Sequence, residues 1–278
     1  MSRTQVVILG SGTPNADPDR VSSSLAVVVA GQPYLVDCGH GAVQRVVEAR
    51  ATGKIDWDTT ALTRLFVTHL HADHTVGLPD LLYTPWIHER KSGLQAIGPL
   101  GLADMARHIE LAYSENIREH LSAHPSSKDG YKIDVREVAG GCVYADEQVT
   151  VQALAADHGD LAALSYKFET PDGTIVISGD TKPVARFAEW ARGCDLLLHE
   201  VYSARQFAFR PPAWQAYHAR THTSSDELAA LATALRPKRL VLVHQLFWGQ
   251  TPADLVAELQ RAYDGEVISA SDLDVYAL

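Results

Sequence analysis

Three histidines and one aspartate stand within six positions in the segment Thr68-His69-Leu70-His71-Ala72-Asp73-His74. The apolar run Leu65-Phe66-Val67 directly precedes this segment and is typical of a buried strand. Open sheets usually carry their functional sites at the carboxyl ends of their strands. The segment therefore predicts a metal site at one edge of a sheet.

The same arrangement, an apolar strand followed by polar side chains, recurs further along the chain. Imidazole nitrogens and carboxylate oxygens bind zinc and similar divalent ions, and a carboxylate can bridge two of them. The strand ends supply seven candidate ligands: His69, His71, Asp73, His74, His158, Asp180 and His244. Seven groups suffice for two ions with positions left for water, which indicates a dinuclear catalytic site. Asp37 also follows a strand, but we expect it to orient a ligand imidazole or to cap the next helix.

The alternation of apolar segments and turn residues predicts the element order. Predicted strands cover residues 5–9, 25–30, 34–36, 65–68, 95–97, 132–138, 149–154, 163–168, 174–178, 196–198 and 240–243. Predicted helices begin after Gly41 and cover residues 78–86, 102–121, 184–191, 225–235 and 253–263. Gly140-Gly141 and Pro171-Asp172-Gly173 are predicted hairpin turns. Two halves, about 1–145 and 146–278, each with strands followed by helices, predict an α/β (α+β) four-layer αββα sandwich in one domain, 1–278.

The amino-acid composition limits the classes of molecule that the protein is expected to bind. The chain has 278 residues with 34 acidic against 24 basic side chains, a formal net charge of −10. This balance disfavours a nucleic-acid partner and favours a small-molecule substrate. Cys38, Cys142 and Cys194, an odd number, fit free thiols in a reducing compartment. With no apolar run of spanning length and no signal-peptide pattern, we expect a cytoplasmic protein without a membrane partner.

With these residues in place, the chain resembles the metallo-β-lactamase superfamily, in which His-x-His-x-Asp-His opens a dinuclear metal site. The resemblance covers nearly the whole length. It implies that His69, His71 and His158 hold the first metal, that Asp73, His74 and His244 hold the second, and that Asp180 bridges them. Two zinc ions are the expected cofactors, and the mixed donor set leaves manganese and iron as alternatives.

Within the superfamily, the chain is most similar to the ribonuclease Z and arylsulfatase-like branch. The matching segments are Leu9-Gly10-Ser11-Gly12-Thr13-Pro14, Asp37-Cys38-Gly39-His40-Gly41 and Gly179-Asp180-Thr181. Two further segments, Leu198-His199-Glu200 and Thr221-His222-Thr223-Ser224, match that branch's Glu and His pair. The resemblance implies that Glu200 orients His222, which protonates the leaving oxygen. Together with the metal ligand Asp73, these two are the expected catalytic residues.

Two departures from ribonuclease Z stand out. Those enzymes commonly carry a long basic Gly/Pro-rich arm between the segments that match His158 and Asp180, whereas this interval is a compact predicted hairpin. Position 40 is His40 where ribonuclease Z is expected to have Glu. Together with the acidic balance, the missing arm argues against tRNA processing.

Aromatic and arginine side chains interleave in residues 201–221, between the two dyad positions. This segment predicts a substrate lid that binds an aryl or apolar leaving group, with an arginine near an anionic ester. The alternatives are a homodimer interface or a surface loop with its own small core. The candidate substrate-binding residues are Tyr202, Phe207, Phe209, Arg210, Trp214 and Trp248.

These patterns predict a zinc-dependent hydrolase of small esters: an aryl phosphodiester or phosphate, a sulfate ester or a lactone. A hydroxide that bridges the metals is expected to attack, with His222 and Glu200 as the proton donor. The alternative enzyme is a ribonuclease Z-type tRNA 3′-processing endonuclease. A non-catalytic metal-binding module ranks below both, because it requires a lost ligand or acid and every expected position is filled.

Overall fold

Two seven-stranded sheets face each other in the computed structural model, which describes residues 3–125 and 127–278. The strands are β1 (Thr4–Gly10), β2 (Ser24–Val29), β3 (Gln32–Val36), β4 (Arg64–Phe66), β5 (Leu94–Gly98), β6 (Ile133–Glu137), β7 (Gly141–Ala145), β8 (Thr150–His158), β9 (Leu161–Thr170), β10 (Gly173–Ile177), β11 (Leu196–Tyr202), β12 (Arg239–Leu246), β13 (Val267–Ser269) and β14 (Val275–Ala277). The first sheet has the order β14-β1-β2-β3-β4-β5-β6, and the second has the order β13-β12-β11-β10-β9-β8-β7.

Helices cover the outer face of each sheet. They are α1 (Ala42–Ala51), α2 (Ala72–Thr75), α3 (Leu78–Ile87), α4 (Leu102–Ala112), α5 (Ser114–Ala123), α6 (Ala185–Trp190), α7 (Ala204–Phe207), α8 (Pro212–Thr221), α9 (Ser225–Leu235) and α10 (Pro252–Leu259). Apolar side chains of α1 and α3 pack on the first sheet, and those of α9 and α10 pack on the second. The predicted αββα sandwich is therefore confirmed.

The core between the two sheets is apolar and rich in aromatic rings. Phe66 of the first sheet meets Phe168 of the second edge-on, with ring centroids 5.2 Å apart, and Tyr166 lies beside them. The Tyr166 hydroxyl donates a hydrogen bond to the carbonyl of Val67, 2.8 Å away, so the second sheet contacts the residue just before the histidine-rich segment. Because both sheets bury this shared core, we propose that the chain forms one domain.

Three predicted features differ from the structure. The helix predicted over 102–121 is two helices, α4 and α5, which are separated at Tyr113. Gly140-Gly141 does not form a hairpin, because β6 pairs with β5 in the first sheet and β7 pairs with β8 in the second. The chain crosses between the sheets there, with φ angles of 146° and 84° that favour glycine.

The predicted boundary between the halves shifts for the same reason. Strand β7 ends at residue 145, within the predicted first half, but belongs to the second sheet, and β14 lies in the predicted second half but pairs with β1 of the first sheet. Both are short strands with one buried side chain, Val143 and Tyr276 respectively, so periodicity alone did not identify them. The hairpin at Pro171-Asp172-Gly173 is present between β9 and β10.

Two composition-based expectations can be compared with the structure. The three cysteines are free thiols. Among the described helices, none is long and apolar enough to cross a membrane.

Candidate metal centre

Strand β4 delivers the histidine-rich segment to one edge of the first sheet. The strand ends at Phe66, and His69 and His71 follow in the connection to α2. His71 is extended, with φ −63° and ψ 151°, and directly precedes the helix, whose first turn carries Asp73 and His74. The segment therefore divides into two pairs of side chains that project from different backbone geometries.

Three ring nitrogens of the first group converge. Nε2 of His69 lies 3.0 Å from Nδ1 of His71, which lies 3.1 Å from Nε2 of His158. Nδ1 of His158 donates a hydrogen bond to the carbonyl of Thr221, 2.7 Å away, which leaves its Nε2 lone pair free. Burial lowers the pKa of all three imidazoles, so they are neutral and can act as ligands.

Asp73, His74 and His244 form a second group. Oδ2 of Asp73 lies 3.1 Å from Nε2 of His244 and 3.4 Å from Nε2 of His74. Burial alone would raise the pKa of Asp73, but His244 and His74 outweigh it and hold this pKa well below its usual value.

His244 reaches this position through a bulge in β12. Glu200 of β11 pairs with Val243 and Val201 pairs with Gln245, so His244 is the extra residue, with a φ of 44°. A bulge re-aims one side chain at the edge of a sheet. Positive φ in a residue other than glycine is costly and clusters at functional sites.

Asp180 lies between the two groups. Its Oδ2 is 3.9 Å from Nε2 of His69, 3.6 Å from Nε2 of His74 and 3.4 Å from Nε2 of His244. Its Oδ1 is buried and has no hydrogen-bond partner among the described residues, as is also true of Nε2 of His74. Unpartnered buried polar atoms are rare, and here they face other ligand-type atoms, so the residues present fit two divalent cations.

Gly179 permits this approach of Asp180. Its φ is 59°, and an added Cβ would lie 2.8 Å from the carbonyl oxygen of Leu164 and 3.0 Å from Cβ of Thr68. Backbone atoms cannot move away cheaply, so a side chain at Gly179 would displace the neighbouring aspartate from the site.

Asp37 supports the site from behind. Its Oδ2 accepts a hydrogen bond from Nδ1 of His74 at 2.8 Å, and its Oδ1 accepts one from the amide of Thr68 at 2.7 Å. Burial would lower the pKa of His74, but Asp180 and Asp37 raise it well above its ordinary value. In this position Asp37 orients an imidazole and is not one of the converging ligands.

Asp37→Asn is expected to weaken metal binding by about 10- to 100-fold, because asparagine replaces one carboxylate oxygen with an NH2 group and so cannot accept hydrogen bonds from both the Thr68 amide and the His74 imidazole. Asparagine tolerates the φ of 58° at this position, so the backbone should not change. Competition with a chromogenic chelator measures the affinity, and the exposed Asp160→Asn is the matched control. Unchanged affinity in Asp37→Asn would show that Asp37 has no part in orienting the ligand.

Glu200 and His222 lie beside the same centre. Nδ1 of His222 is 3.3 Å from Oε2 of Glu200 and 3.8 Å from Oδ2 of Asp180. The other oxygen of Glu200 accepts hydrogen bonds from the amides of Thr223 and Thr181, at 2.9 Å and 3.2 Å. Burial raises the pKa of Glu200 well above its usual range and lowers the pKa of His222 to about 4. The structure thus brings the two predicted dyad residues together.

A pocket of about 680 Å³ opens over the centre. Of the six predicted substrate-binding residues, Arg210, Trp214 and Trp248 line it. Tyr202, Phe207 and Phe209 do not: Tyr202 is buried behind Trp248 with ring centroids 5.5 Å apart, Phe207 packs on Tyr202, and Phe209 is 79% exposed. The segment 201–221 therefore forms a pocket wall through only some of its aromatic side chains.

The sequence placed Tyr217 in the aromatic segment 201–221 without choosing it as a substrate-binding candidate, and it missed His218. Tyr217 and His218 line the pocket, and His218 stacks on Trp214 with centroids 5.7 Å apart. They share one face of α8 with Trp214, since residues three and four apart in a helix are neighbours. That spacing could have identified them. Of the histidines outside the predicted ligand set, His40 is exposed and His199 is buried.

A family model and two sequence relatives each match most of this chain. The family model described as a beta-lactamase superfamily domain matches residues 33–245. Ribonuclease Z of Mycobacterium sp. (strain KMS) is 31% identical over 245 residues, which are 87% of this chain and 84% of that protein. Ribonuclease Z of Mycolicibacterium paratuberculosis (strain ATCC BAA-968 / K-10) is 32% identical over 244 residues, which are 86% and 85% of the two chains.

Two solved structures are similar over nearly the whole chain. The metallo-beta-lactamase fold protein YhfI from Bacillus subtilis superposes with a TM-score of 0.76 at 17% identity, covering 98% of this chain and 99% of that one. The short form of human tRNase Z gives a TM-score of 0.75 at 24% identity, covering 98% of each chain. At these identities, the two structures establish the fold alone.

Proposed function

Because this chain belongs to the beta-lactamase superfamily of hydrolases, we propose that it is a metal-dependent phosphodiesterase of the ribonuclease Z type. The sequence favoured a small-ester hydrolase and placed tRNA processing second. The ribonuclease Z relatives reverse that order. The observation that carries the proposal is the position of Glu200 and His222 beside the converging ligands, in a pocket that His222 itself lines.

We propose that each of two ligand groups holds one metal. His69, His71 and His158 form one set of ligand atoms that lie within 4.8 Å of one another. Asp73, His74 and His244 form a second such set. Asp180 lies between the sets, and zinc is the cofactor we propose, because histidine and carboxylate ligands suit it. When bound, two such cations supply Lewis acidity for the ester oxygens and lower the pKa of water.

His222 is the proton donor in this proposal. Its Nδ1 faces Oε2 of Glu200, so its Nε2 points away from that carboxylate. The amides of Thr181 and Thr223 hold Glu200 in place, and Oε2 of Glu200 and Nδ1 of His222 have no other hydrogen-bond partner among the described residues, so we propose that this carboxylate orients the imidazole ring. Burial lowers the pKa of His222, so in this proposal the anionic phosphodiester of the substrate stabilises the protonated imidazole, which then gives its proton to an alkoxide that leaves poorly. A ribose 3′ oxygen is such a leaving group.

Hydrolysis of a small aryl ester is the second candidate, and two observations favour it. Between β8 and β9 the described chain has only Gly159 and Asp160, and β9 turns into β10 at Pro171-Asp172, so this interval holds no basic arm. The net charge of −10 also opposes binding of a polyanion. We accordingly propose that any RNA substrate is held near its cleaved end rather than along an extended basic surface.

One assay separates the two candidates. The metal-loaded protein is incubated with a precursor tRNA that carries a 3′ trailer and, separately, with bis(4-nitrophenyl) phosphate. We expect metal-dependent release of the trailer, with a 3′ hydroxyl left on the tRNA, and no reaction after chelation. Turnover of the aryl ester alone would support the second candidate. Turnover of neither substrate by protein that holds two metal equivalents would reject the phosphodiesterase proposal.

A further inference from the structure

We propose that Arg210 forms an anion-binding subsite for a phosphate group on the leaving-group side of the substrate. This inference rests on the phosphodiesterase function proposed above and names its substrate class. The leaving group carries a planar ring and, beyond it, a phosphate. A ribonucleoside 5′-phosphate that is esterified at its 3′ oxygen has this chemistry.

Arg210 is the only arginine or lysine among the described residues that line the pocket. Its guanidinium carbon lies 5.1 Å from the ring centroid of Trp248, and its Nε is buried without a hydrogen-bond partner among those residues. No ion pair of the described chain includes Arg210, although the sequence has 34 acidic residues. An arginine that is stacked, partly desolvated and unpaired is suited to bidentate binding of an oxyanion.

Ring contacts place Arg210 on the same wall as the proton donor. From Trp248 the contacts continue to His218, with centroids 4.8 Å apart, and from His218 to His222, 5.6 Å apart. Since His222 protonates the departing oxygen, a group held further along this wall belongs to the leaving group. Trp214, which is half exposed and stacks on His218, offers a flat apolar face to a ring between the two ends.

Buried hydrogen bonds hold this wall in place at its base. Glu258 of α10 is buried, and its two carboxylate oxygens accept hydrogen bonds from the hydroxyls of Ser203 and Ser225, at 2.8 Å and 2.7 Å. Ser203 caps α7 at the start of the segment, and Ser225 begins α9 just beyond its end. Because a preorganised wall loses little conformational entropy when a ligand binds, loss of the Arg210 contact should lower the binding affinity by nearly the full energy of that contact.

Two diribonucleotides that differ only in a 5′-phosphate test the subsite. In each, hydrolysis of the internal diester releases the 5′ nucleoside through its 3′ oxygen. We expect the wild-type protein to cleave the 5′-phosphorylated form with a kcat/KM about 10- to 100-fold higher, as one charged hydrogen-bonded contact allows. Arg210→Gln should abolish this preference, and Arg210→Lys should retain part of it.

Arg205→Gln is the matched control, because Arg205 lies in the same segment but is exposed and outside the pocket lining. It should keep the full preference. Calorimetric titration with uridine 5′-monophosphate and with uridine gives a readout that does not depend on turnover. An equal loss for both ligands in Arg210→Gln, or equal affinity of the wild type and Arg210→Gln for the monophosphate, would overturn the subsite. Turnover of neither the precursor tRNA nor bis(4-nitrophenyl) phosphate by metal-loaded protein would reject the phosphodiesterase function separately.

Discussion

His222→Ala is expected to slow hydrolysis of an alkyl phosphodiester by about 10²- to 10⁴-fold, the usual contribution of a positioned general acid. The same variant should hydrolyse bis(4-nitrophenyl) phosphate at nearly the wild-type rate, because 4-nitrophenoxide departs without a proton. The effect should lie in kcat, since the imidazole acts on the leaving oxygen in the transition state. Steady-state kinetics on the two substrates, with equal metal loading, measure the difference.

A different role for His222 would give a different result. Its Nδ1 lies 3.8 Å from Asp180, and the ligand-type atoms of His158, Asp180 and His222 lie within 4.8 Å of one another. If His222 were itself a metal ligand, His222→Ala would lose metal and would slow both substrates equally. His108→Ala is the control for removal of an imidazole, because His108 is exposed on α4.

The sequence nominated the residues of the candidate centre because they follow recognisable strands. His69, His71 and Asp73 share one short segment, and Asp180 lies three residues beyond the end of β10, so order along the chain was enough to nominate them. Their convergence depends on features that the pattern does not contain. The bulge that turns His244 into the site and the carbonyl of Thr221 that orients His158 both arise from tertiary contacts.

The pocket wall was harder to predict for a physical reason. Aromatic residues near a site all look alike in sequence, but only the backbone decides which of them face the cavity. Trp248 has a φ of 47°, and its ring lies between Arg210 and Tyr202. Tyr202 therefore packs behind the wall, although the aromatic composition of segment 201–221 predicted that it contacts the substrate. Phe209 lies in the turn before α8 and faces solvent.

Asp180→Ala is expected to remove at least one metal equivalent and to reduce kcat/KM by about 10³-fold or more, since the metals lower the pKa of water from 15.7 to about 7. Among the described carboxylates outside the two ligand groups, Asp180 lies close to both groups, with distances to His69 and His244 of 3.9 Å and 3.4 Å. Burial alone would raise its pKa, but His244 and His74 hold the pKa of Asp180 well below its usual range. It is thus an anion that can link two cations.

Thermal unfolding supplies a second measurement that is independent of turnover. A ligand present at 100 times its dissociation constant stabilises the native state by about 2.7 kcal/mol, so a chelator should lower the Tm of the wild-type protein by several degrees. In Asp180→Ala the chelator should have a much smaller effect, whereas Asp160→Ala, a change at a nearly fully exposed side chain, should respond like the wild type. If Asp180→Ala held two metal equivalents and kept the wild-type response to chelation, the two ligand groups would be separate sites and Asp180 would not link them.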